Sequence, residues 1–219
     1  MSVRLPMTCL RLLSVALLLG AQEAKTPVTV DEKAGTISFG AVTLKLETEP
    51  QVKGVIEYVI VNKGGKAYES LFVANIDALA LDAGLKKIGL APGVPAQDDG
   101  NGKISLPTGA EVRISVEWKA GETAKREPVE SFILDTQTGK AMEPVGWLFT
   151  GSKKGFVPEI EDTSLLVLTS KHLVGLLHRD ATVLLTNPVV NKTEHRYKGN
   201  KATLPKEGTP VRIIFEAKK

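Results

Sequence analysis

Cysteine is almost absent from this sequence. The chain has 219 residues and a single cysteine, Cys9, and the residues before it, Pro6-Met7-Thr8, do not form the small-residue motif of a lipid-modified cysteine. Cys9 also lies in an N-terminal segment that we expect to be removed. The remaining chain then has no disulfide, thiolate nucleophile, iron–sulfur ligand or cysteine-based zinc site. Its stability must come from an apolar core, which a chain of this length can build.

The sequence also lacks an apolar run long enough to span a bilayer comfortably. The N-terminal run, Leu12 to Leu19, follows Arg4 and Arg11 and precedes the small and polar residues 20–24. This order is typical of a secretory signal peptide. We predict a signal peptide over residues 1–24, cleaved near 21–24, and a single domain over 25–219. The protein is expected in the periplasm or outside the cell, without membrane insertion after cleavage.

The cleavage site itself is imperfect. Cleavage after Ala21 places Leu19 three residues before the new end, and cleavage after Ala24 places Gln22 there, whereas signal peptidases prefer small residues at that position. A retained N-terminal membrane anchor is therefore the alternative to a released domain.

A strong excess of charge is missing as well. The formal net charge is +3, and cleavage after Ala21 would lower it to +1 because the removed segment carries Arg4 and Arg11 and no acidic residue. A nearly neutral chain without basic blocks gives no electrostatic reason to expect nucleic acid or anionic lipid as a partner.

Alternating apolar residues indicate that most of the chain forms strands. Val112, Ile114, Val116 and Trp118 alternate cleanly with polar residues. In an earlier segment the alternation of Ile37 and Phe39 continues out of phase at Val42, Leu44 and Leu46, which predicts a β-bulge or a sharp bend at Gly40-Ala41. The expected fold class is α+β, mainly β, with predominantly antiparallel sheets. Further short strands are expected within 132–134, 147–149, 165–168, 183–185 and 211–215.

The sequence predicts few helices. One clear helix is expected at about 76–88, because Asn75 or Asp77 can cap its start and Gly89 can end it. A second short helix is expected at about 171–177.

A β-hairpin is expected around Gly64-Gly65. The apolar segment Val55 to Val61 precedes these glycines and Tyr68 to Val73 follows them, and adjacent glycines suit a two-residue turn. Glu57 and Glu69 interrupt these strands, where burial of an unpaired carboxylate is costly. A two-residue turn would place the two carboxylates on opposite faces, and a three-residue loop would place them on the same face, where they could form a binding or acid–base pair. The adjacent glycines favour the two-residue turn, and the favoured interpretation of each glutamate is an ion pair or a hydrogen bond at a sheet edge.

The sequence contains no complete catalytic, metal-binding or cofactor motif. The loop Gln97 to Lys103 resembles a calcium loop, but Gln97 and Thr108 occupy its first and twelfth positions, where acidic ligands belong, so an ordinary turn is expected. His172 and His178 are spaced unlike a helical metal pair, and each histidine, including His195, is expected at a surface or a helix end. No Gly-x-Ser-x-Gly motif surrounds Ser70 or Ser152. We therefore predict no metal ion and no cofactor.

A series of short motifs resembles the YdjY-type domain of exported bacterial proteins. The matching segments cover nearly all of the chain after the leader: 54–59, 65–73, 112–118, 147–152, 204–205 and 208–211. Tyr68 stands where the family usually has histidine, so a chemistry that depended on that histidine would be missing here. Some relatives are joined to iron–sulfur modules, but this chain lacks the cysteines that a cluster requires. The resemblance therefore implies a single exported domain and no electron-carrier role.

The sequence favours an exported module that binds an unknown protein or small molecule and catalyses no reaction. The expected contact surface consists of Glu57, Glu69, Ser70, Trp147, Thr150 and Ser152, because Trp147 would offer a flat apolar area and the hydroxyls would offer hydrogen bonds. One alternative is a hydrolase or lyase that uses Glu57, Glu69 or Glu161 as acid or base. Another is a cysteine-free accessory subunit of an envelope redox complex.

Overall fold

Strands form most of the regular structure. The computed structural model describes residues 24–47, 52–101, 103–190 and 195–218, so the predicted leader lies outside the described residues. Within these ranges the strands are β1 Thr29–Asp31, β2 Thr36–Thr43, β3 Tyr58–Asn62, β4 Ser70–Ala74, β5 Ala110–Ala120, β6 Thr123–Pro128, β7 Ile133–Asp135, β8 Lys140–Ala141, β9 Trp147–Phe149, β10 Lys154–Val157, β11 Asp162–Leu165, β12 His172–Gly175, β13 Leu185–Thr186, β14 Tyr197–Gly199 and β15 Pro210–Ala217. The α-helices are α1 Ala78–Lys87 and α2 Val167–Ser170. The expected class, α+β and mainly β, is confirmed.

The main sheet closes on itself. Its strand order is β1-β2-β15-β5-β9-β13-β12-β3-β4, and β2 also pairs with β4, which closes the ring from β2 to β4 into a barrel. β1 extends from β2 and β6 pairs with β5 outside that ring. Most pairings are antiparallel, as predicted, but β3–β4 and β12–β13 are parallel. Two small sheets, β10-β11 and β14-β7-β8, lie apart from this order.

The apolar core fills the inside of the closed sheet. Ile114 and Val116 of β5 stand opposite Phe215 and Ile213 of β15, and all four side chains are buried. Phe215 also meets Phe39 of β2 edge to face, with ring centroids 5.5 Å apart. Full burial of each such side chain contributes about 2 kcal/mol to the stability of the fold. The alternating apolar residues of the sequence are thus the side chains whose burial stabilises the sheet.

The register of β2 is continuous where the sequence predicted a β-bulge. The ladder between β2 and β15 runs without interruption from Thr36 to Val42. Ile37, Phe39 and Ala41 therefore share the inner face, and Val42 points outward with 39% of its surface exposed. The apparent change of phase arises because Val42 is an apolar residue on the solvent face, so the predicted bulge is wrong.

The first helix was correctly predicted. Asp77 caps α1 by accepting a hydrogen bond from the backbone N–H of Leu79 (3.1 Å). Leu81 and Leu85 are buried against the sheet, and Gly89, with φ of 87°, follows the C-cap residue Ile88. Among the described residues, no helix is long and apolar enough to cross a membrane.

The second predicted helix is displaced. The short helix α2 ends at Ser170, and His172–Gly175 forms strand β12 between β3 and β13. Every residue of β12 is buried. A short apolar run that is covered on both faces has the same sequence pattern in a buried helix and in an interior strand. The sequence therefore predicted a helix at 171–177 where residues 172–175 form a strand.

The expected hairpin is replaced by a parallel pair. A turn does form after β3, with the N–H of Gly65 donating to the carbonyl of Asn62 (2.9 Å). The chain then returns through a 3₁₀ turn, Ala67–Glu69, before β4 begins. As a result, Tyr58 stands beside Ser70 and Asn62 beside Ala74 in a parallel register. The hairpin prediction was wrong because β3 takes β12 as its antiparallel partner.

Candidate functional site

Two glutamates converge at the start of β3 and β4. The parallel register places Glu57 beside Glu69, and the N–H of Glu57 donates to the carbonyl of Glu69 (3.0 Å). Lys66, from the connection between the strands, lies with its Nζ 3.3 Å from Oε2 of Glu57 and 3.4 Å from Oε2 of Glu69. The preferred expectation of opposite faces is therefore wrong. We call Glu57, Lys66 and Glu69 the Glu–Lys–Glu triad.

The Glu–Lys–Glu triad is only partly compensated in charge. The carboxylate side chains are 18% and 16% exposed, and the Lys66 side chain is 42% exposed. Burial and the neighbouring Glu57 raise the pKa of Glu69 above its ordinary value, although Lys66 opposes the shift. Burial alone would lower the pKa of Lys66, but the two carboxylates outweigh it and raise the pKa. One ammonium thus faces two carboxylates in a half-buried position.

A second polar group borders the Glu–Lys–Glu triad. The buried Tyr58 hydroxyl donates to Oδ2 of Asp180 (3.0 Å), and the His172 ring stacks on the Tyr58 ring with centroids 3.9 Å apart. We call Tyr58, His172 and Asp180 the Tyr58 cluster. Lys66 Nζ lies 5.8 Å from the centroid of the Tyr58 ring, so the Tyr58 cluster and the Glu–Lys–Glu triad are neighbours.

Asp180 is held as a carboxylate. Burial alone would raise its pKa, but the His172 imidazole, the N–H and hydroxyl of Thr182 and the Tyr58 hydroxyl lower the pKa to about 2. Burial and the Asp180 charge raise the pKa of Tyr58, which therefore remains a hydrogen-bond donor. Nδ1 of His172 is buried without a hydrogen bond, 3.7 Å from Oδ2 of Asp180.

Two histidines are buried where the sequence placed them at a surface or helix end. His172 lies in β12, and His178 follows it in the segment that leads to Asp180; both are less than a tenth exposed. Burial, together with the charge of Arg179, lowers the pKa of His178. His195 is exposed, as expected. Within the described ranges no group of three or more His, Cys, Asp or Glu residues is arranged to hold a metal ion.

The hydroxyls of the predicted contact surface bind the protein's own backbone. Ser70 donates to the carbonyl of Lys66 (2.7 Å), and Thr150 donates to the carbonyl of Leu184 (3.2 Å). Ser152 donates to the carbonyl of Thr182 (2.8 Å) and accepts from the N–H of Val167 (3.1 Å). All three residues are buried. These hydroxyls therefore join segments of the protein's own backbone to one another.

Trp147 belongs to the core. Its relative exposure is 0%, and it packs within the main apolar core, so the expectation of a flat ligand platform is corrected. Nε1 of Trp147 donates to Oε1 of Glu130 (2.8 Å). Glu130 is a buried carboxylate that the sequence analysis missed, because its neighbours Val129 and Ser131 show no pattern that marks it as internal.

The other acidic candidates lie in turns. Glu161 occupies the exposed turn between β10 and β11 in a left-handed conformation. In the Gln97 to Lys103 loop, Asp98 accepts from the N–H of Gly100 (2.9 Å) and Asp99 from the N–H of Asn101 (2.8 Å). The carboxylates thus satisfy backbone donors, as an ordinary turn requires.

Comparison with known proteins identifies the family and nothing more specific. A family model described as the YdjY domain matches residues 28–216. That range extends from just before β1 into β15, so it contains both polar groups described above. No curated protein matches the chain, and no solved structure matches it.

Proposed function

This chain belongs to the YdjY domain family, and we propose that it is an exported, non-catalytic binding module whose ligand presents a cationic group to Glu57 and Glu69. The export part of the proposal rests on the basic and apolar order of the N-terminal segment. The binding part rests on the Glu–Lys–Glu triad. The ligand is a small amine or a protein segment with an exposed ammonium group.

One observation carries the proposal: a single lysine faces two half-buried carboxylates, and the pKa of Glu69 is still raised. The site is therefore short of positive charge. A ligand ammonium that approached Glu69 would stabilise its ionised form, since an opposite charge within about 5 Å favours ionisation. Lys66 is the most exposed member of the triad and its long side chain can move to one carboxylate and leave the other to the ligand.

The Tyr58 cluster supports this role as a rigid wall. Tyr58, His172 and Asp180 are held by stacking and by the hydrogen bonds of Asp180. An aromatic ring beside an ammonium site adds a cation–π contribution of about 0.5–1 kcal/mol where the site is exposed. Binding without catalysis is favoured because the nearby serine and threonine hydroxyls donate to backbone carbonyls.

The test is titration of the isotope-labelled domain with a primary amine. With N-acetyl-lysine methylamide as probe, we expect NMR shifts at Glu57, Tyr58 and Glu69 with millimolar affinity, and none with the uncharged norleucine analogue. The Glu57→Gln/Glu69→Gln variant is expected to lose the response. The matched control is Glu207→Gln, which removes an exposed carboxylate from another turn.

The result that overturns the proposal is equally direct. If the lysine and norleucine probes give the same shifts, or if the double Gln variant responds like the wild type while it remains folded, the triad does not bind a cation. In that case Glu57, Lys66 and Glu69 form an internal ion pair with a purely structural role.

The convergence of the carboxylates favours one second candidate, an acid–base hydrolase or lyase. Two carboxylates on one face with one raised pKa are a common arrangement for proton transfer. The acid–base hypothesis requires Glu69 to titrate near neutral pH after Lys66→Gln removes the ammonium. A carbon-detected carboxyl titration of that variant measures this pKa, and a value that stays in the acidic range rejects the enzyme hypothesis.

A further inference from the structure

We propose that the outer face of the closed sheet binds an extended acidic segment of another protein. Two cavities of about 650 and 430 Å³ lie on this face. Both are lined by Pro210 and Val211, so they are neighbours. The two neighbouring cavities, which we call the outer groove, are lined by residues of β6, β5, β15, β2 and β4.

The floor of the outer groove includes a row of apolar side chains. The register places Pro210 of β15 opposite Val42 of β2, and Val42 opposite Val73 of β4. Residues directly opposite in neighbouring strands share a face of the sheet. Val42 is 39% exposed and Pro210 is exposed, so this face of the sheet presents apolar surface to solvent.

A charged row runs beside the apolar one. Arg212 stands two residues from Pro210 on the same face, opposite Glu117, which stands opposite Arg126. Glu117 is shared between the two arginines, at 3.5 Å from Arg212 and 3.7 Å from Arg126. Gly40 faces Arg212 from β2, with the methyl group of Thr26 beside it, and Nη2 of Arg212 donates to Oγ of Ser38 (2.9 Å).

The lining of the outer groove has a clear excess of positive charge. It contains five basic residues and one acidic residue: Lys63, Lys119, Lys125, Arg126, Arg212 and Glu117. Glu216, outside the lining, pairs with Arg126 at 2.9 Å, and the excess remains. Five of the 28 lysine and arginine residues of the chain thus line the outer groove beside its apolar floor, and two of them, Arg126 and Arg212, share Glu117.

These features fit an extended peptide with alternating acidic and small apolar residues. Five strands spaced about 4.8 Å apart span about 19 Å, which an extended segment of about six residues covers. Arginine binds carboxylates in a paired geometry, and the apolar row accepts small aliphatic side chains. A concave, partly apolar groove suits a polypeptide better than a flat anionic membrane surface.

The test uses two synthetic hexapeptides, one of alternating Glu and Val and one of alternating Gln and Val. We expect the acidic peptide to bind the full mature domain and the neutral one to bind much more weakly by isothermal titration calorimetry. Arg212→Gln is expected to weaken acidic-peptide binding about fivefold, as loss of one exposed ion pair implies. Val42→Ser is expected to weaken it as well, whereas Lys206→Gln, an exposed lysine outside the groove, leaves it unchanged.

Several outcomes would overturn the proposal. It fails if the acidic peptide does not bind, or if Val42→Ser and Arg212→Gln have no effect while both variants keep the melting temperature of the wild type. It also fails if dextran sulfate or phosphatidylglycerol vesicles bind as well as the peptide, because attraction would then depend on charge alone. The Glu57→Gln/Glu69→Gln variant should bind the peptide normally, which separates this surface from the Glu–Lys–Glu triad.

Discussion

At the scale of single residues, the same side chain has different roles in different surroundings. Glu57 and Glu69 share Lys66 and stay within reach of solvent. Glu130 is only 3% exposed and binds Nε1 of Trp147 (2.8 Å) and the N–H of Val145 (3.3 Å). Because neither partner of Glu130 is charged, burial raises the pKa of its carboxyl. Glu130 therefore lies within the core, whereas Glu57 and Glu69 keep partial contact with solvent.

The first prediction concerns Glu130. A raised pKa means that the folded state holds the proton more tightly than the unfolded state, so this group's contribution to stability is full below the unfolded pKa and is lost as pH rises through the folded pKa. Glu130→Gln keeps an acceptor for Trp147 and should be more stable than the wild type at pH 7, but not at pH 4. Glu130→Ala leaves the indole N–H unpaired and should cost about 2 kcal/mol at pH 4, and less at pH 7, where the wild type has itself lost part of the stability that protonated Glu130 contributes.

Urea denaturation of the two variants at pH 4 and pH 7 measures these differences. The matched comparison is Glu207→Gln, an exposed carboxylate in the turn before β15, which should change the unfolding free energy little. If Glu130→Gln destabilises the protein at pH 7 as much as Glu130→Ala does, the charged form of Glu130 is required and the argument is wrong.

At the scale of elements, backbone packing decides features that side-chain patterns do not. The 91–109 loop lies against β9, where the N–H of Gly93 donates to the carbonyl of Phe149 (2.9 Å). A Cβ at position 93 would lie 2.0 Å from the carbonyl oxygen of Thr108. The loop thus packs backbone against backbone, and glycine is required by space at this position.

The second prediction follows from that contact. Gly93→Ala should lower the free energy of unfolding by more than 2 kcal/mol, because the neighbouring backbone must move. Gly121→Ala is the control: it occupies the turn between β5 and β6 at φ of 63° with open space around it, and should cost about 1 kcal/mol. Chemical denaturation of both variants measures the difference, and equal losses would contradict the packing argument.

At the scale of the whole molecule, the two ends of the described chain meet in one sheet. β15, the last strand, lies between β2 and β5, and it pairs with both over seven residues. Closure of the sheet therefore joins the start, middle and end of the chain. Near the N-terminal end of the described residues, the carbonyl of Ala24 accepts a hydrogen bond from the side chain of Asn75, and the N–H of Thr26 donates to the carbonyl of Asn75 (2.6 Å).

The third prediction concerns processing. Cleavage near 21–24 leaves every described strand and the Thr26–Asn75 bond in place, so the processed domain should fold like the full chain. We expect N-terminal sequencing of protein from the periplasm of a Gram-negative host to begin between residues 22 and 25. Material that begins at Met1 and remains in detergent-extracted membranes would instead show a retained anchor.

Much of the candidate site was present in the sequence, but its geometry was not. Glu57 and Glu69 stand out because each carboxylate interrupts an apolar strand. Their convergence depends on whether the two strands run parallel or antiparallel, and glycines in a turn do not decide this. Asp180 and His172 contact Tyr58 although each lies more than a hundred positions later in the sequence. Local patterns carry no information about such contacts.

By itself the sequence determined the predominance of strands and the helix after Asp77, because alternation and capping residues act over a few neighbouring positions. It also determined the reliance on an apolar core, because the predicted domain contains no cysteine for a disulfide. Only the tertiary structure decided the parallel pairing of β3 and β4, the burial of Trp147 and the strand at His172–Gly175. Those features depend on which distant segments become neighbours. Several strand pairings satisfy the same local pattern, and closure of the sheet selects one of them.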